Sequence, residues 1–192
     1  MEDNGKGWEI VSRQCLLKTP VFDIYEEKST CPRNGKVSNF NIIDCANSWV
    51  TVIALTKSDE LIVIRQYRHG SRQFEFEVPG GCMDEGEDPL AAGIRELREE
   101  TGYAGEKARI IGKVRPNPAL QGNWCYTVFI EGVEKTEDID MDDGEDIFTI
   151  KIPCNRIEDM IRCGDITHGL MLNAILFYKL LREKAVKKGF RE

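Results

Sequence analysis

Residues 88–102, DPLAAGIRELREETG, constrain the fold more than any other stretch of the chain. Both ends of a helix are written into them. Asp88 suits the N-terminal cap, Pro89 the first helical position, and Gly102 the residue just past the end. Leu90, Ile94 and Leu97 recur at helical spacing and give one apolar face. The last turns carry Glu96, Glu99 and Glu100. Residues three and four apart share a helix face, so like charges there destabilise it by about 0.2–0.5 kcal/mol per pair. They also stand at the end where the macrodipole favours cations. Arg95 and Arg98 give some local relief. A solvated charged face is the ordinary reading of such a run. It accounts neither for crowding at the unfavourable end nor for the glycine-rich loop PGGCMDEGE (79–87) just before it. A divalent cation accounts for both. Magnesium takes hard oxygen ligands and usually keeps substrate phosphate in its shell, and glycines let a main-chain carbonyl approach it.

The rest of the chain reads as strands around this helix. Short β-like runs at 8–17, 20–27 and 36–44 are separated by turn signals at Thr19-Pro20 and at Pro32 to Gly35. WVTVIALT (49–56) and LIVIRQYR (61–68) flank a short polar connection and predict a hairpin. FEFEV (74–78) alternates apolar and acidic residues, as a half-buried strand does. Further strands are expected at 108–114, 124–131 and 146–152, and helices near 155–163 and 168–186. In the last helix Met171, Ala174, Ile175, Tyr178 and Leu181 form one packing face, and its basic residues suit the C-terminal half. The acid-rich 134–146 reads as a surface loop. The order predicts an α+β fold in layers.

Composition narrows the function. The 192 residues suit one domain, or one with a small appendage, and the net charge of −7 argues against a nucleic-acid binder. No apolar run approaches the roughly 20 residues of a membrane helix, and MEDNGKGWEI is no signal peptide. Seven scattered cysteines, none in CxxC spacing, and two histidines read as reduced thiols in a cytoplasmic protein rather than disulfides or a zinc site.

Gly81, five residues, Glu87, seven residues, then Arg95-Glu96-Leu97-Arg98-Glu99-Glu100-Thr101-Gly102-Tyr103 resembles the complete Nudix box. Tyr103 fills a slot that is more often aliphatic. The resemblance implies a Nudix fold, an α/β/α sandwich of mixed sheets, that binds Mg2+ or Mn2+ and hydrolyses a nucleoside diphosphate linked to another group. It implies Glu96, Glu99 and Glu100 as metal ligands, with the carbonyl of Gly80 as a further one. Glu99 thereby belongs to the catalytic set, whereas Gly81, Glu87, Arg95 and Gly102 build the box, Glu87 and Arg95 as an ion pair.

Beyond the box the chain is similar to the ADP-ribose pyrophosphatase group. The similarity covers Arg65-Gln66-Tyr67-Arg68, the lead-in Glu77-Val78-Pro79-Gly80-Gly81, Pro118 fifteen residues past the box, and the closing GDITHGLMLNAILFYKLL. It divides the chain into an N-terminal antiparallel β extension over 1–46, for dimerisation and substrate contact, and a Nudix domain over 47–192. It implies a small nucleotide-sugar substrate, no nucleic acid or membrane partner, and a homodimer. Arg68 would offer a fork to phosphate, or is a strand-end charge in solvent. Glu77 would hold a water or a substrate group, or is the polar side of its strand. Pro118 would shape a loop that excludes triphosphates. Glu145, with Asp146 as its rival, would position or activate water. Trp8 and Phe40 would stack on the base, or are ordinary core or interface residues. ADP-ribose is the favoured substrate. GDP-mannose and other nucleotide sugars are alternatives within the class, and a non-catalytic nucleotide-binding module is the alternative outside it.

Overall fold

The computed structural model describes residues 7–138 and 146–189, with side chains up to residue 184. They divide into two compact units, residues 7–46 with 115–123, and residues 47–114 with 124–138 and 146–189. In the first unit β1 (Glu9–Lys18), β2 (Asp23–Thr30) and β3 (Val37–Asp44) form an antiparallel meander. The β1–β2 register slips at two places, between Ile10 and Ser12 and between Cys15 and Leu17. The 115–123 loop joins this sheet through Ile43, whose N–H donates to the Leu120 carbonyl at 2.8 Å. Ile10, Val11, Leu16, Leu17 and Val21 are all exposed.

The second unit is built on β4 (Trp49–Leu55), β5 (Glu60–Arg68), β6 (Gln73–Glu77), β7 (Tyr103–Ala104), β8 (Lys107–Val114), β9 (Cys125–Glu131), β10 (Glu134–Lys135) and β11 (Ile147–Pro153). Its six-stranded mixed sheet runs β11-β5-β4-β9-β8, with β6 paired to β5. Only β4 and β9 run parallel; the other pairs are antiparallel. β5 meets β4 at Leu61 and β6 from Ile64 to Arg68, so its end diverges from the central strands. The two-residue strands β7 and β10 form a separate ribbon.

The central strands are buried on both faces, which requires a helix layer on each. Val50, Val52 and Ala54 of β4 and Ile62 of β5 pack with Ala92 and Leu97 of α1 (Pro89–Thr101). The alternate residues Ile53, Leu55, Leu61 and Val63 pack with Ile157 of α2 (Ile157–Cys163) and Met171, Ala174 and Ile175 of α3 (Gly169–Gly189). The layers are therefore α/β/α, as the sequence predicts. The predicted face of the last helix is the one that packs: Tyr178 and Leu181 extend the same cluster. Gly93 and Gly112 set the close approach of helix to sheet. A Cβ on Gly93 would sit 2.8 Å from a Val128 methyl, and one on Gly112 would sit 2.5 Å from the Phe177 ring.

Two sequence readings need correction. β6 is a strand, but its acidic side is buried as well as its apolar side, where Phe76 packs on the core and Val78 just beyond it is buried. Glu75 and Glu77 are buried, at 8% and 3% exposure, whereas Phe74 is 40% exposed. Here the acidic side chains turn inward because they meet donors there. The acid-rich 134–146 also begins with strand β10 rather than with loop, because Glu134 and Lys135 pair with Ala104 and Tyr103.

Candidate functional site

Helix α1 ends as its sequence dictates. The Asp88 carboxylate accepts from the N–H groups of Leu90, at 2.9 Å, and Ala91, at 3.3 Å. Gly102 terminates the helix at φ 70°, and its N–H donates to the Arg98 carbonyl. A side chain is barred there: a Cβ would lie 2.2 Å from the Glu137 carbonyl oxygen. Arg98 in turn grips the Glu137 carboxylate with Nε at 2.7 Å and Nη2 at 3.3 Å. That pairing across 39 residues has no signature in the sequence.

The glycine-rich loop lies along β4, as the N–H groups of Val50 and Val52 donate to the carbonyls of Gly81 and Pro79. Gly80, at φ 154°, fits because it lacks a side chain: a Cβ would meet the Val50 carbonyl oxygen at 2.1 Å. Its N–H donates to Glu100 Oε2 at 2.9 Å. A Cβ on Gly81 would sit 2.7 Å from Glu96 Oε1, so this glycine lets the loop pass against that carboxylate. Loop and helix thus bring Gly80, Gly81, Glu96, Glu99 and Glu100 to one cleft of about 600 Å³, which Gln66, Arg68, Asp84 and Arg95 also line.

Arg95 organises the acids. It meets Glu87 with Nε and Nη2, both at 3.0 Å, and its Nη1 reaches Glu96 at 3.0 Å and Glu99 at 2.8 Å. Its Nη2 also donates to the Cys82 carbonyl. This pairing, with the Asp84 N–H, holds the Glu87 carboxyl below the usual carboxylate range. The same carboxylates push the Arg95 guanidinium further up. Glu96 and Glu100 are buried, whereas Glu99 is more exposed. Like charges tolerate such crowding only when partners or a metal compensate them.

The donor set fits a hard divalent cation: three carboxylates on one cleft, beside glycines that leave room at Glu96. Among the described residues, no three acid, histidine or cysteine side chains already surround a common point as ligands. The acids are instead held by Arg95 and by the Gly80 N–H.

The other wall of the cleft holds Arg68. Its guanidinium forks onto Glu77, Nε to Oε1 at 2.5 Å and Nη2 to Oε2 at 2.8 Å. Arg68 is therefore no free strand-end charge, and Glu77 no solvated side of its strand. His168 Nδ1 stands 3.4 Å from Glu77 Oε2. The adjacent Thr167 donates to Glu75 Oε2 at 2.9 Å, and Gln73 donates to Glu75 Oε1 at 2.9 Å. Hydrogen bonds from Gln73, Ser71 and Thr167 hold the Glu75 carboxyl below its usual range. Burial pushes the His168 imidazole below its usual pKa, against the pull of Glu77. Sequence reasoning passed over Gln73, Thr167 and His168. Thr167 and His168 face carboxylates about ninety residues away, and Gln73 serves Glu75 two residues on only because that acid is buried.

Asp146 lies beside Gln66, Arg68, Tyr67, His69 and Phe74. Glu145 lies outside the described residues. Trp8, Phe40 and Pro118 belong to the first unit. Trp8 and Phe40 meet edge to face, with ring centroids 5.3 Å apart, and both are exposed.

The NUDIX domain model matches residues 48–162. The chain belongs to the Nudix family. It is a Nudix hydrolase, and its relatives include pyrophosphatases of ADP-ribose. The chain is 26% identical over 171 residues to the ADP-ribose pyrophosphatase of Bacillus subtilis, covering 88% of this chain and 91% of that protein. It is 33% identical over 138 residues to the ADP-sugar pyrophosphatase of Mus musculus, covering 67% of this chain and 63% of that protein. A crystal structure of an ADP compounds hydrolase shares the fold, with a TM-score of 0.84 at 19% identity over 94% of this chain and 96% of that one. Nudix ADP-ribose pyrophosphatases depend on a divalent metal ion. No helix among the described residues is long and apolar enough to cross a membrane.

Proposed function

We propose that this Nudix hydrolase cleaves the diphosphate of ADP-ribose or a related nucleoside diphosphate sugar. The observation that carries the reading is the cleft itself: the box carboxylates Glu96, Glu99 and Glu100 on one wall and the Arg68 fork on the other. The names of the relatives point to the same substrate class.

A divalent cation, Mg2+ or Mn2+, would be held by Glu96, Glu99, Glu100 and the Gly80 carbonyl and would neutralise the diphosphate. The chain supplies the rest. Arg95 orients Glu96 and Glu99, and its pairing with Glu87 fixes the loop that carries Gly80 and Gly81. Arg68 binds phosphate oxygens, a task its planar fork suits. Glu77 holds that fork at the cleft until phosphate arrives. Glu145 takes the proton from the attacking water. Water adds to one phosphorus, the bridging P–O bond breaks, and ADP-ribose yields AMP and ribose 5-phosphate. Catalysis rests on positioning and charge compensation.

Trp8 and Phe40 supply an exposed aromatic pair for the base, and Pro118 shapes a loop of the same unit that excludes triphosphates. The exposed apolar side chains of β1 suit a homodimer interface. All seven cysteines are free thiols, which suits the cytoplasm.

The test is release of nucleoside monophosphate from ADP-ribose, GDP-mannose, UDP-glucose and ATP, with and without magnesium. ADP-ribose is expected to turn over fastest, and Glu145→Gln to slow it by orders of magnitude. A preference for another nucleotide sugar would discard the substrate but keep the box chemistry. Silence across the panel would return the chain to a binding module.

A further inference from the structure

The buried carboxylates of β6 are served by a connector far away in sequence. Between α2 and α3, Ile166 is buried in the core, and the N–H groups of Asp165 and Ile166 donate to the Met160 carbonyl. This anchors the segment against sliding. The next two residues then each face one carboxylate: Thr167 donates to Glu75, and His168 Nδ1 stands 3.4 Å from Glu77 Oε2. The two contacts differ in kind. Thr167 makes its hydrogen bond, whereas His168 Nδ1 is buried and makes none. A buried polar atom without a partner is costly and needs a reason.

The partner that Glu77 does have is the exposed one. The Arg68 side chain is 44% exposed and lines the carboxylate cleft, whereas that of Glu77 is 4% exposed. An anion entering the cleft competes for the guanidinium with Glu77. If Arg68 turned to it, Glu77 would stay buried with its main charge partner lost, a strongly unfavourable state. We propose that His168 is a positioning residue that removes this penalty: as Arg68 turns from Glu77 toward a substrate phosphate, the His168 Nδ1–H closes on Glu77 Oε2 and replaces the Arg68 Nη2 hydrogen bond. The unsatisfied nitrogen in the free protein is then the donor held for the bound state. The role rests on the reading of the cleft as a diphosphate site.

Two variants separate donation from packing. His168→Leu fills similar space and cannot donate. His168→Asn offers an amide N–H near the position of Nδ1. For ADP-ribose, His168→Leu is expected to raise KM about tenfold and to change kcat less than threefold, with His168→Asn within threefold of wild type in both. A merely structural histidine would not produce that split or that rescue. An unchanged KM in His168→Leu, or equal impairment of both variants, overturns the proposal. A second measurement does not depend on the variants folding. The chain has only two histidines, His69 and His168, so its imidazole 15N spectrum is simple. Adding AMP to the wild-type protein is expected to move the His168 Nδ1 signal toward that of a hydrogen-bonded N–H, assigned by comparison with His69→Gln. An unmoved signal at saturating AMP overturns the exchange. Wild-type turnover reports separately on the diphosphate reading, because the AMP shift requires no catalysis.

Discussion

Helix α1 and strand β6 each bury two carboxylates, and they stabilise them by different routes. In α1, Glu96 and Glu100 are compensated from nearby: Arg95 is the preceding residue to Glu96, and Gly80 lies in the adjoining loop. In β6, Glu77 draws on Arg68 across a strand pair, and Glu75 on Gln73 two residues before it and on Thr167 about ninety residues away. The first cluster is a local device that a helix pattern can encode. The second exists only after β5, β6 and the α2–α3 connector have met. Local compensation leaves the acids crowded and reactive toward a cation. Long-range compensation ties three elements together.

The largest expected effect comes from removing the hub of the local cluster. Arg95→Met leaves Glu87, Glu96 and Glu99 without their shared cation, and Glu87 and Glu96 are mostly buried. Breaking a buried pair costs about 3–5 kcal/mol. Chemical denaturation should register a loss near the lower end of that range, since Arg95 is partly exposed, and turnover should fall at least a hundredfold. Retained stability with lost turnover would mean that the cluster is not held together by Arg95.

Matched glutamate substitutions sharpen the contrast. Glu100→Gln is expected to lower turnover at least a hundredfold with little change in thermal midpoint. Glu75→Gln, outside the cleft, should do the reverse: activity within about threefold of wild type and a stability loss of about 1–2 kcal/mol from weakened hydrogen bonds. If Glu75→Gln lost activity as Glu100→Gln does, β6 would belong to the chemistry rather than to the scaffold.

Gly102→Ala probes the joint between α1 and the segment after β10. The residue has φ 70°, and a Cβ would meet the Glu137 carbonyl. The strain of a left-handed non-glycine is about 1 kcal/mol or more before that clash is relieved. A drop in thermal midpoint of several degrees is expected, with KM altered less than the midpoint would suggest.

The smallest effect is a pH dependence. His168 is held below its ordinary pKa of 6.5, so the folded protein binds its proton less readily than the unfolded chain does. Stability from the neutral imidazole is therefore complete above about pH 6.5 and declines as pH falls through the folded-state pKa. The carboxyls with lowered pKa lose their contribution only below their own ordinary value of 4.5. Between pH 7.5 and 5.5, the thermal midpoint of wild type should fall more than that of His168→Asn. Equal declines would remove His168 as the source.

How much was legible follows from the range of each interaction. The caps of α1, the packing face of α3 and the continuous apolar runs of β4 and β5 are local, so hydropathy and capping residues announce them. The box spacing announces Glu96, Glu99 and Glu100 as neighbours on one cleft wall. The burial of the acidic face of β6 was not legible, because alternation in FEFEV marks one buried face and apolar burial is the commoner choice. Gln73, Arg68 and Thr167, brought together in space, make the acidic face one that can be buried. The β7–β10 ribbon is likewise two residues on each side, too short for any period.

The sequence by itself determined a layered α+β domain, its capped acidic helix and the family to which it belongs. These depend on patterns within a few turns or strands, where covalent proximity brings the residues together. Tertiary structure decided which partner each acid has: Arg95 for the box, Arg68 for Glu77, and Thr167 about ninety residues downstream beside the local Gln73 for Glu75. Desolvation makes such partners obligatory once a carboxylate is buried. Their identity depends on how distant segments pack, which no local pattern encodes.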